Sequence, residues 1–113
     1  MPIPLHSYRK KARGFNQAQI LSDIICKRLK VPVEAASLLK IRRTKDQVKL
    51  DVRQREENIR GAFRVFGDRL TGKRVAIVDD VVTTGATIRE AAKVLVNSGA
   101  KPAAVIAVAV AGY

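Results

Sequence analysis

The chain has 113 residues, of which 47% are hydrophobic and 28% are charged, and we expect it to form one small globular domain over residues 1–113. Its 22 Lys and Arg residues against 10 Asp and Glu residues give a net charge of +12. That balance excludes an acidic ion-buffering protein and indicates a polyanionic partner, which leaves nucleic acid, a phosphorylated metabolite or an anionic membrane surface.

Several other classes are excluded by simple counts. Cys26 is the single cysteine, so the sequence allows no intrachain disulfide and no cysteine-based zinc site, and a reducing cytoplasm is the expected location. No run approaches the roughly 18 apolar residues of a membrane span. The first 14 residues lack the apolar region of a signal peptide. We therefore expect no role in the membrane.

The positive charge is concentrated in the first half of the chain. Residues 1–60 hold 15 Lys and Arg against 6 Asp and Glu, whereas residues 61–113 hold 7 against 4. Aromatic residues are few, with 2 Tyr, 3 Phe and no Trp. A protein that binds single-stranded nucleic acid usually interleaves aromatic rings with its cations. The composition therefore favours a small phosphorylated ligand over nucleic acid.

The first half is predicted to contain a basic loop and one long helix. Residues 1–5 suggest a short strand or extended segment, and residues 6–14 suggest the basic loop. Asn16 is a candidate helix N-cap, with Gln19 in capping-box spacing, and the helix should end near Lys30. Its predicted core-facing residues are Ala18, Leu21, Ile24, Ile25 and Leu29. Cys26 is expected to lie in the core.

A long polar segment follows a short predicted strand at residues 35–41. Residues 42–58 contain only Val48, Leu50 and Val52 as apolar residues. This segment is predicted to be a long mobile loop with some helix, and loops of that length in compact domains are usually functional.

The second half has the pattern of a strand, a helix and a strand, which predicts a parallel sheet and an α/β fold. Four patterns mark its elements in chain order: apolar alternation, a β-branched run, helical spacing of apolar residues and a final apolar run. Gly99 lies where a C-cap glycine is expected, and Thr84 or Thr87 is the candidate cap at the helix start. The predicted elements are a half-buried strand at 62–66, a buried strand at 74–78, a helix at 86–98 and a strand at 104–111.

The motif that points to chemistry begins with Asp79 and Asp80, directly after the buried strand. Ligands of open parallel sheets bind beyond the carboxyl ends of the strands. Adjacent carboxylates are poor phosphate ligands but good acceptors for a vicinal diol, such as the ribose 2′- and 3′-hydroxyls. The small, hydroxylated segment Thr83–Thr87 then offers backbone N–H groups and a helix N-terminus to an anion. The motif predicts a site for a 5-phosphoribosyl group.

Two other interpretations of the acidic pair carry less weight. Response-regulator receivers also place Asp-Asp after a strand, but near the chain start and without a Thr-Thr-Gly-Ala-Thr loop. A purely structural interpretation would leave two neighbouring carboxylates serving only solubility.

The segment Val75–Thr87 resembles the PRPP-binding motif of type I phosphoribosyltransferases. The early segment Pro4–Ala18, with its Arg13-Gly14-Phe15-Asn16 core, is similar to the signature of the competence protein F (ComF/GntX-type) subfamily. Residues 43–63, from Arg43-Thr44 to Gly61-Ala62-Phe63, are similar to that family's flexible loop and re-entry strand. The resemblance implies a mostly parallel twisted sheet flanked by helices, with a minimal hood.

The resemblance also implies a role for each part of the site. Asp79 and Asp80 would hold the ribose hydroxyls, and Thr83, Thr84, Gly85, Ala86 and Thr87 would hold the 5′-phosphate. Mg²⁺ would be held mainly through PRPP, with no direct protein ligand. The expected pyrophosphate-contacting residues are His6, Arg9, Arg13, Gly14 and Phe15, and the expected catalytic residues are Arg43, Arg53 and Arg55.

Such a site supports displacement of pyrophosphate at ribose C1 by a nitrogen nucleophile, with catalysis largely electrostatic. An alternative is a PRPP- or nucleotide-sensing module without turnover that acts with proteins of competence or DNA uptake. A third interpretation, direct DNA binding by the basic first half, is open but not favoured. Members of the subfamily commonly carry a cysteine-rich zinc module, which one cysteine cannot build, and little of this sequence is left for the hood that shapes the acceptor site, so we expect either a shortened family member or a fragment of a longer protein. The acceptor therefore stays open, and a homo-oligomer is one way to complete the site.

Overall fold

The structure is a computed structural model that describes residues 1–5, 16–44 and 50–110. The predicted basic loop at residues 6–14 lies outside the described residues. The helices are α1 (Gln17–Leu29), α2 (Val52–Ile59) and α3 (Ala86–Asn97), and the strands are β1 (Leu38–Lys40), β2 (Phe63–Val65), β3 (Arg74–Val82) and β4 (Lys101–Val110). In the described part of the chain, no helix combines the length and apolar character needed to cross a bilayer.

β3 lies at the centre of the parallel arrangement that the sequence predicts. β4 pairs with it in parallel, with Asp79 opposite Ala107, and α3 connects the two strands. On the other side of β3, the backbone N–H of Ile3 donates to the Val78 carbonyl at 2.8 Å, and the N–H of Val78 donates to the Met1 carbonyl at 2.8 Å. β1 and β2 form a short antiparallel pair. The α/β class and the βαβ unit are confirmed.

The core lies between β3, α3 and the β1–β2 pair. The side chains of Leu38, Ile59, Ile77 and Leu95 are at most 2% exposed, and burial of each such side chain contributes about 1.5–3 kcal/mol. On α3, Ala91 and Leu95 lie in this core and Ile88 and Ala92 pack against it, as their helical spacing indicates, and Gly99 follows the helix with a φ of +90°. The hydrophobic pattern therefore predicted the packing of β3 and α3 correctly, whereas the apolar strand β4 is largely exposed, with Val108 and Val110 at 72% and 59%.

The predicted core-facing side of α1 is wrong in part. Its buried residues are Ala18, Ser22 and Cys26, whereas Ile24 and Leu29 are 56% and 64% exposed. α1 packs against β3, and small side chains at four-residue spacing let the helix approach the strand closely. Cys26 is buried, as expected.

Several predicted boundaries also change: the strands predicted at 35–41 and 62–66 are shorter, and β4 begins at Lys101 rather than at residue 104. The second half of the predicted loop 42–58 is the helix α2, which begins with a capping box: the Gln54 N–H donates to Asp51 Oδ1 at 2.8 Å, and the Asp51 N–H donates to Gln54 Oε1 at 3.0 Å. β3 continues through Val82 because β4 continues beside it, so the two aspartates lie within the strand rather than after it.

Candidate functional site

Asp79 and Asp80 occupy the carboxyl-terminal part of β3 and are half-buried. The Asp80 N–H donates to Asp79 Oδ1 at 2.9 Å, and the Val81 N–H donates to Asp80 Oδ1 at 2.9 Å. Both carboxylates border a cleft of about 40 Å³ between β3, the N-terminal segment and the start of α1. The other residues that line this cleft are Ile3, Leu5, Asn16, Gln17 and Ala18.

The carboxyl group of Asp79 lies in surroundings that favour its protonated form. Burial and, after it, the side-chain hydrogen bond and like charge of the neighbouring Asp80 raise the pKa of Asp79 to about 7. The N–H of Asp80 and the charge of Lys40 act in the opposite direction. With a raised pKa, Asp79 keeps its proton to higher pH than an ordinary aspartate does, and its protonated form can donate as well as accept a hydrogen bond. Strongly raised carboxyl pKa values cluster at functional sites.

The segment Thr83–Thr87, here called the phosphate loop because the sequence predicts that it holds the 5′-phosphate, connects β3 to α3. Gly85 is the N-cap of α3 with a φ of +84°, a left-handed conformation that favours glycine. The predicted caps Thr84 and Thr87 are replaced by this glycine, which makes no side-chain cap bond. The Ala86 N–H makes only a long bond of 3.4 Å to Thr84 Oγ1. The first turn of α3 contains no acidic residue, so its N–H groups suit an external anion.

An arginine on α3 connects the phosphate loop to α2. Arg89 Nη1 donates to the Thr84 carbonyl at 2.9 Å, and Arg89 Nη2 pairs with Glu56 Oε1 on α2. Glu90 follows Arg89 on α3, and its Oε1 accepts a hydrogen bond from the Gly61 N–H at 3.0 Å. The segment that resembles the family's flexible loop is therefore attached to the helix that begins at the phosphate loop.

The predicted catalytic arginines lie in different surroundings. Arg43 is exposed after β1, and the Arg53 side chain is 89% exposed and pairs with Glu57 on its own helix at 3.4 Å. Arg55 is only 8% exposed. Arg42, the neighbour of Arg43, has a structural role, because its Nη2 donates to the carbonyls of Asn58 and Arg60 at 2.6 Å. The expected pyrophosphate-contacting residues His6, Arg9, Arg13, Gly14 and Phe15 lie outside the described residues.

Comparison with known proteins decides the family. Residues 11–112 match the family described as the phosphoribosyl transferase domain. The chain belongs to the type I phosphoribosyltransferase family. No solved structure matches the chain.

Relatives place this phosphoribosyltransferase-family chain in the competence protein F-like group. It is 36% identical to competence protein F of Haemophilus influenzae over 101 residues, which are 88% of this chain and 44% of that protein. It is 37% identical to the DNA utilization protein YhgH of Escherichia coli K12 over 98 residues, 87% and 43% of the two chains. It is 33% identical to competence protein ComFC of Bacillus subtilis over 100 residues, 88% and 38%. The chain thus spans about two fifths of the length of these relatives.

Sequence reasoning about this phosphoribosyltransferase-family site missed Asn16, Arg89 and Glu56. Asn16 was predicted as a cap, and it also lines the carboxylate cleft and donates from Nδ2 to the Ile3 carbonyl at 3.1 Å. A basic residue in the first turn of a helix, where acidic residues are favoured, is a signal that would have singled out Arg89. Glu56 is one acid among several in its segment and carries no such signal.

Proposed function

We propose that this chain binds PRPP with Mg²⁺ and displaces pyrophosphate at ribose C1 with a nitrogen nucleophile. One observation carries the proposal: the half-buried acidic pair lies near the carboxyl end of β3, and the glycine-capped loop at the N-terminus of α3 follows after Val81 and Val82. Diol acceptors beside an anion cradle match the two ends of a 5-phosphoribosyl group, and the family match supports the same ligand.

Each part of the site has one role in this proposal. Asp79 and Asp80 hold the ribose 2′- and 3′-hydroxyls, and the phosphate loop holds the 5′-phosphate. The segment from His6 to Phe15 contacts the pyrophosphate together with Arg43 and the α2 arginines, Arg53 and Arg55. The bond from C1 to the pyrophosphate oxygen breaks and the oxygen keeps the electron pair, while the nitrogen forms the new bond to C1 and releases its proton to solvent. Cations stabilise the charge that develops on the departing group.

The donor set suits a magnesium ion held mainly by the substrate. Among the described residues, no three His, Cys, Asp or Glu side chains come together as a metal cluster. The two carboxylates are oxygen donors of the kind that Mg²⁺ accepts, and this ion commonly keeps waters and substrate oxygens in its shell. When bound, it supplies positive charge beside the pyrophosphate. The carboxylates would orient the ribose, and the oxygens of the substrate would hold the ion.

The decisive experiment is calorimetric titration of PRPP with Mg²⁺ into the wild type and into the double variant Asp79→Asn/Asp80→Asn. We expect the double variant to bind at least about tenfold more weakly, because two charge-assisted hydrogen-bond acceptors are lost. The double variant Asp23→Asn/Asp68→Asn is the matched control, since it removes two exposed charges on residues that line neither the carboxylate cleft nor the phosphate loop. Absence of binding by the wild type would contradict the proposal. Unchanged binding by Asp79→Asn/Asp80→Asn would contradict the role of the carboxylates.

A second candidate is a PRPP- or nucleotide-sensing module without turnover that acts in competence or DNA uptake. The names of the relatives, competence protein F and DNA utilization protein, favour it. Release of pyrophosphate across a panel of nitrogenous bases and amines distinguishes the two. Release with any acceptor supports the enzyme, whereas tight PRPP binding without release supports the sensor.

The remaining parts of the proposal concern surroundings and partners. The relatives' names favour partners among competence or DNA-uptake proteins, and the single cysteine favours a cytoplasmic location. Direct DNA binding is not favoured. A protein that binds DNA through its cations would lose DNA affinity steeply as the salt concentration rises. A homo-oligomer would supply further residues to the acceptor side.

A further inference from the structure

We propose that Arg89 is a positioning residue that couples the phosphate loop to α2, so that occupancy of the loop by a phosphate and docking of α2 strengthen each other. The inference rests on the proposed function, because it takes the phosphate loop as the site of the 5′-phosphate. Nothing in the motif itself assigns a role to Arg89 or to Glu56.

The guanidinium of Arg89 lies directly against the phosphate loop. A Cβ atom placed on Gly85 would come within 2.9 Å of Arg89 Nη1, and the same nitrogen donates to the Thr84 carbonyl at 2.9 Å. Arg89 thereby fixes the orientation of the peptide between Thr84 and Gly85. That peptide ends at the N-cap of α3, next to the N–H groups that would face a phosphate.

The other half of the same guanidinium binds α2. Arg89 Nη2 pairs with Glu56, and 33 residues of chain separate the two. Arginine suits this bridge because its planar fork can serve two acceptors at once, which the single ammonium of lysine does less well. The Glu56–Arg89 pair therefore connects α2 to the phosphate loop. The same helix α2 carries Arg53 and Arg55.

The strength of the link suits a reversible coupling. The side chains of Arg89 and Glu56 are 57% and 43% exposed. An ion pair this exposed is worth at most about 1 kcal/mol, or about a fivefold change in an equilibrium. A phosphate that orders the loop therefore shifts α2 docking by a measurable but modest factor, and α2 docking shifts phosphate affinity by the same factor.

The experiment measures hydrogen exchange of the α2 backbone amides, residues 55–59, with and without saturating ribose 5-phosphate. In the wild type, we expect the ligand to slow this exchange by about twofold to fivefold. In Glu56→Gln and in Arg89→Lys, the ligand should leave α2 exchange unchanged. Arg89→Lys keeps the positive charge beside the loop, so a loss of coupling in this variant separates the bridge from the charge.

Matched controls remove the same charges without touching the bridge. Glu57→Gln changes a neighbouring carboxylate that pairs with Arg53, and Lys93→Gln changes an exposed cation on α3 that pairs with Glu90. Both should keep the slowing seen in the wild type. Ribose 5-phosphate should also bind Glu56→Gln about twofold to fivefold more weakly than Glu57→Gln, by reciprocity.

The outcomes separate this inference from the proposed function. If the wild type binds neither PRPP nor ribose 5-phosphate, the proposed function fails. If the wild type binds and Glu56→Gln behaves as Glu57→Gln does, only the coupling through Arg89 is overturned.

Discussion

The carboxyl groups of Asp79 and Asp80 are adjacent on β3, and the N–H of Asp80 donates to Asp79 Oδ1 at 2.9 Å. Burial, with Asp80 beside it, raises the pKa of Asp79 from 3.8 to about 7. Such an arrangement costs the fold stability when both groups are charged. The carboxyl pair does not stabilise the hydrophobic core, and carboxyl groups with strongly raised pKa values are expected at ligand-binding sites.

The first prediction is that stability falls between pH 5 and pH 8 because of Asp79. A carboxyl group whose pKa is raised on folding stabilises the folded state while it is protonated. This contribution is complete below the ordinary pKa of 3.8 and is lost as the pH rises through about 7. The wild type should therefore lose about 2 kcal/mol of unfolding free energy over this range, and Asp79→Asn should lose almost none of that contribution.

Urea denaturation of both proteins at pH 5 and pH 8 provides the measurement. Asp80→Asn is the internal control, since removal of the like charge lowers the pKa of Asp79 and should reduce the pH dependence in part. Equal pH dependence in the wild type and Asp79→Asn would show that the carboxyl is not the titrating group.

The second prediction concerns ligand affinity. Ionised Asp79 is the better hydrogen-bond acceptor for a ribose hydroxyl, so PRPP affinity should rise as the pH increases from 6 to 8. Asp79→Asn should retain only the pH dependence that comes from the ligand's own phosphates. Calorimetric titration at pH 6, 7 and 8 measures the difference between the two curves, and parallel curves would contradict the prediction.

The third prediction tests the phosphate loop through Gly85. Substitution with alanine costs about 1–2 kcal/mol because of the φ of +84°, and the new Cβ displaces Arg89 from the Thr84 carbonyl. Gly67→Ala is the matched control, because Gly67 has a φ of +77° and nothing within 4 Å of the added atom. Both variants should lose similar stability in urea, but only Gly85→Ala should lose ribose 5-phosphate affinity. Loss of ribose 5-phosphate affinity in both variants would show that the cause is general backbone destabilisation and not a local change at Gly85.

The β3–α3–β4 unit could be predicted from the sequence because each of its signals is local. The β-branched run, the glycine of the loop and Gly99 each specify their own stretch of backbone, so the α/β class and the order of these elements were predicted correctly. The capping box of Asp51 and Gln54 is equally local. It places a helix inside a segment that was predicted mainly as a loop.

What could not be predicted depends on contacts between distant segments. α1 carries apolar residues around much of its circumference, and only the approach of β3 decides that the face of Ser22 is buried. The raised pKa of Asp79 depends on the burial of its carboxyl group, which the neighbouring residues in the sequence do not indicate. The Arg89–Glu56 pair joins two side chains that local sequence does not single out together.

The fourth prediction follows from the buried face of α1. Ser22 is 0% exposed, and among the described residues its Oγ has no hydrogen-bond partner. Ser22→Ala should therefore raise the unfolding free energy by about 1 kcal/mol, because an unsatisfied buried hydroxyl is removed. Ser98→Ala is the contrasting variant, since Ser98 Oγ donates to the Leu95 carbonyl at 2.7 Å and its loss should destabilise. A destabilised Ser22→Ala would indicate a partner for the hydroxyl.

The fifth prediction concerns Asn16, which joins the N-terminal segment to α1 beside the carboxylate cleft. Its Oδ1 accepts from the Ala18 N–H at 3.0 Å, and its Nδ2 donates to the Ile3 carbonyl at 3.1 Å. Asn16→Ala loses both bonds and should cost about 1–3 kcal/mol. Asn16→Asp keeps the cap acceptor and loses the donor, so it should cost less at pH 5.

The pH separates the two effects of Asn16→Asp. The new carboxylate lines the same cleft as Asp79, so the like charges raise the pKa of Asp79 further and increase the penalty once both groups ionise. The deficit of Asn16→Asp relative to the wild type should therefore grow between pH 5 and pH 8 in urea denaturation. Asn97→Asp, at the exposed end of α3, should show no such growth. Equal deficits at the two pH values would mean that residue 16 and Asp79 do not interact across the cleft.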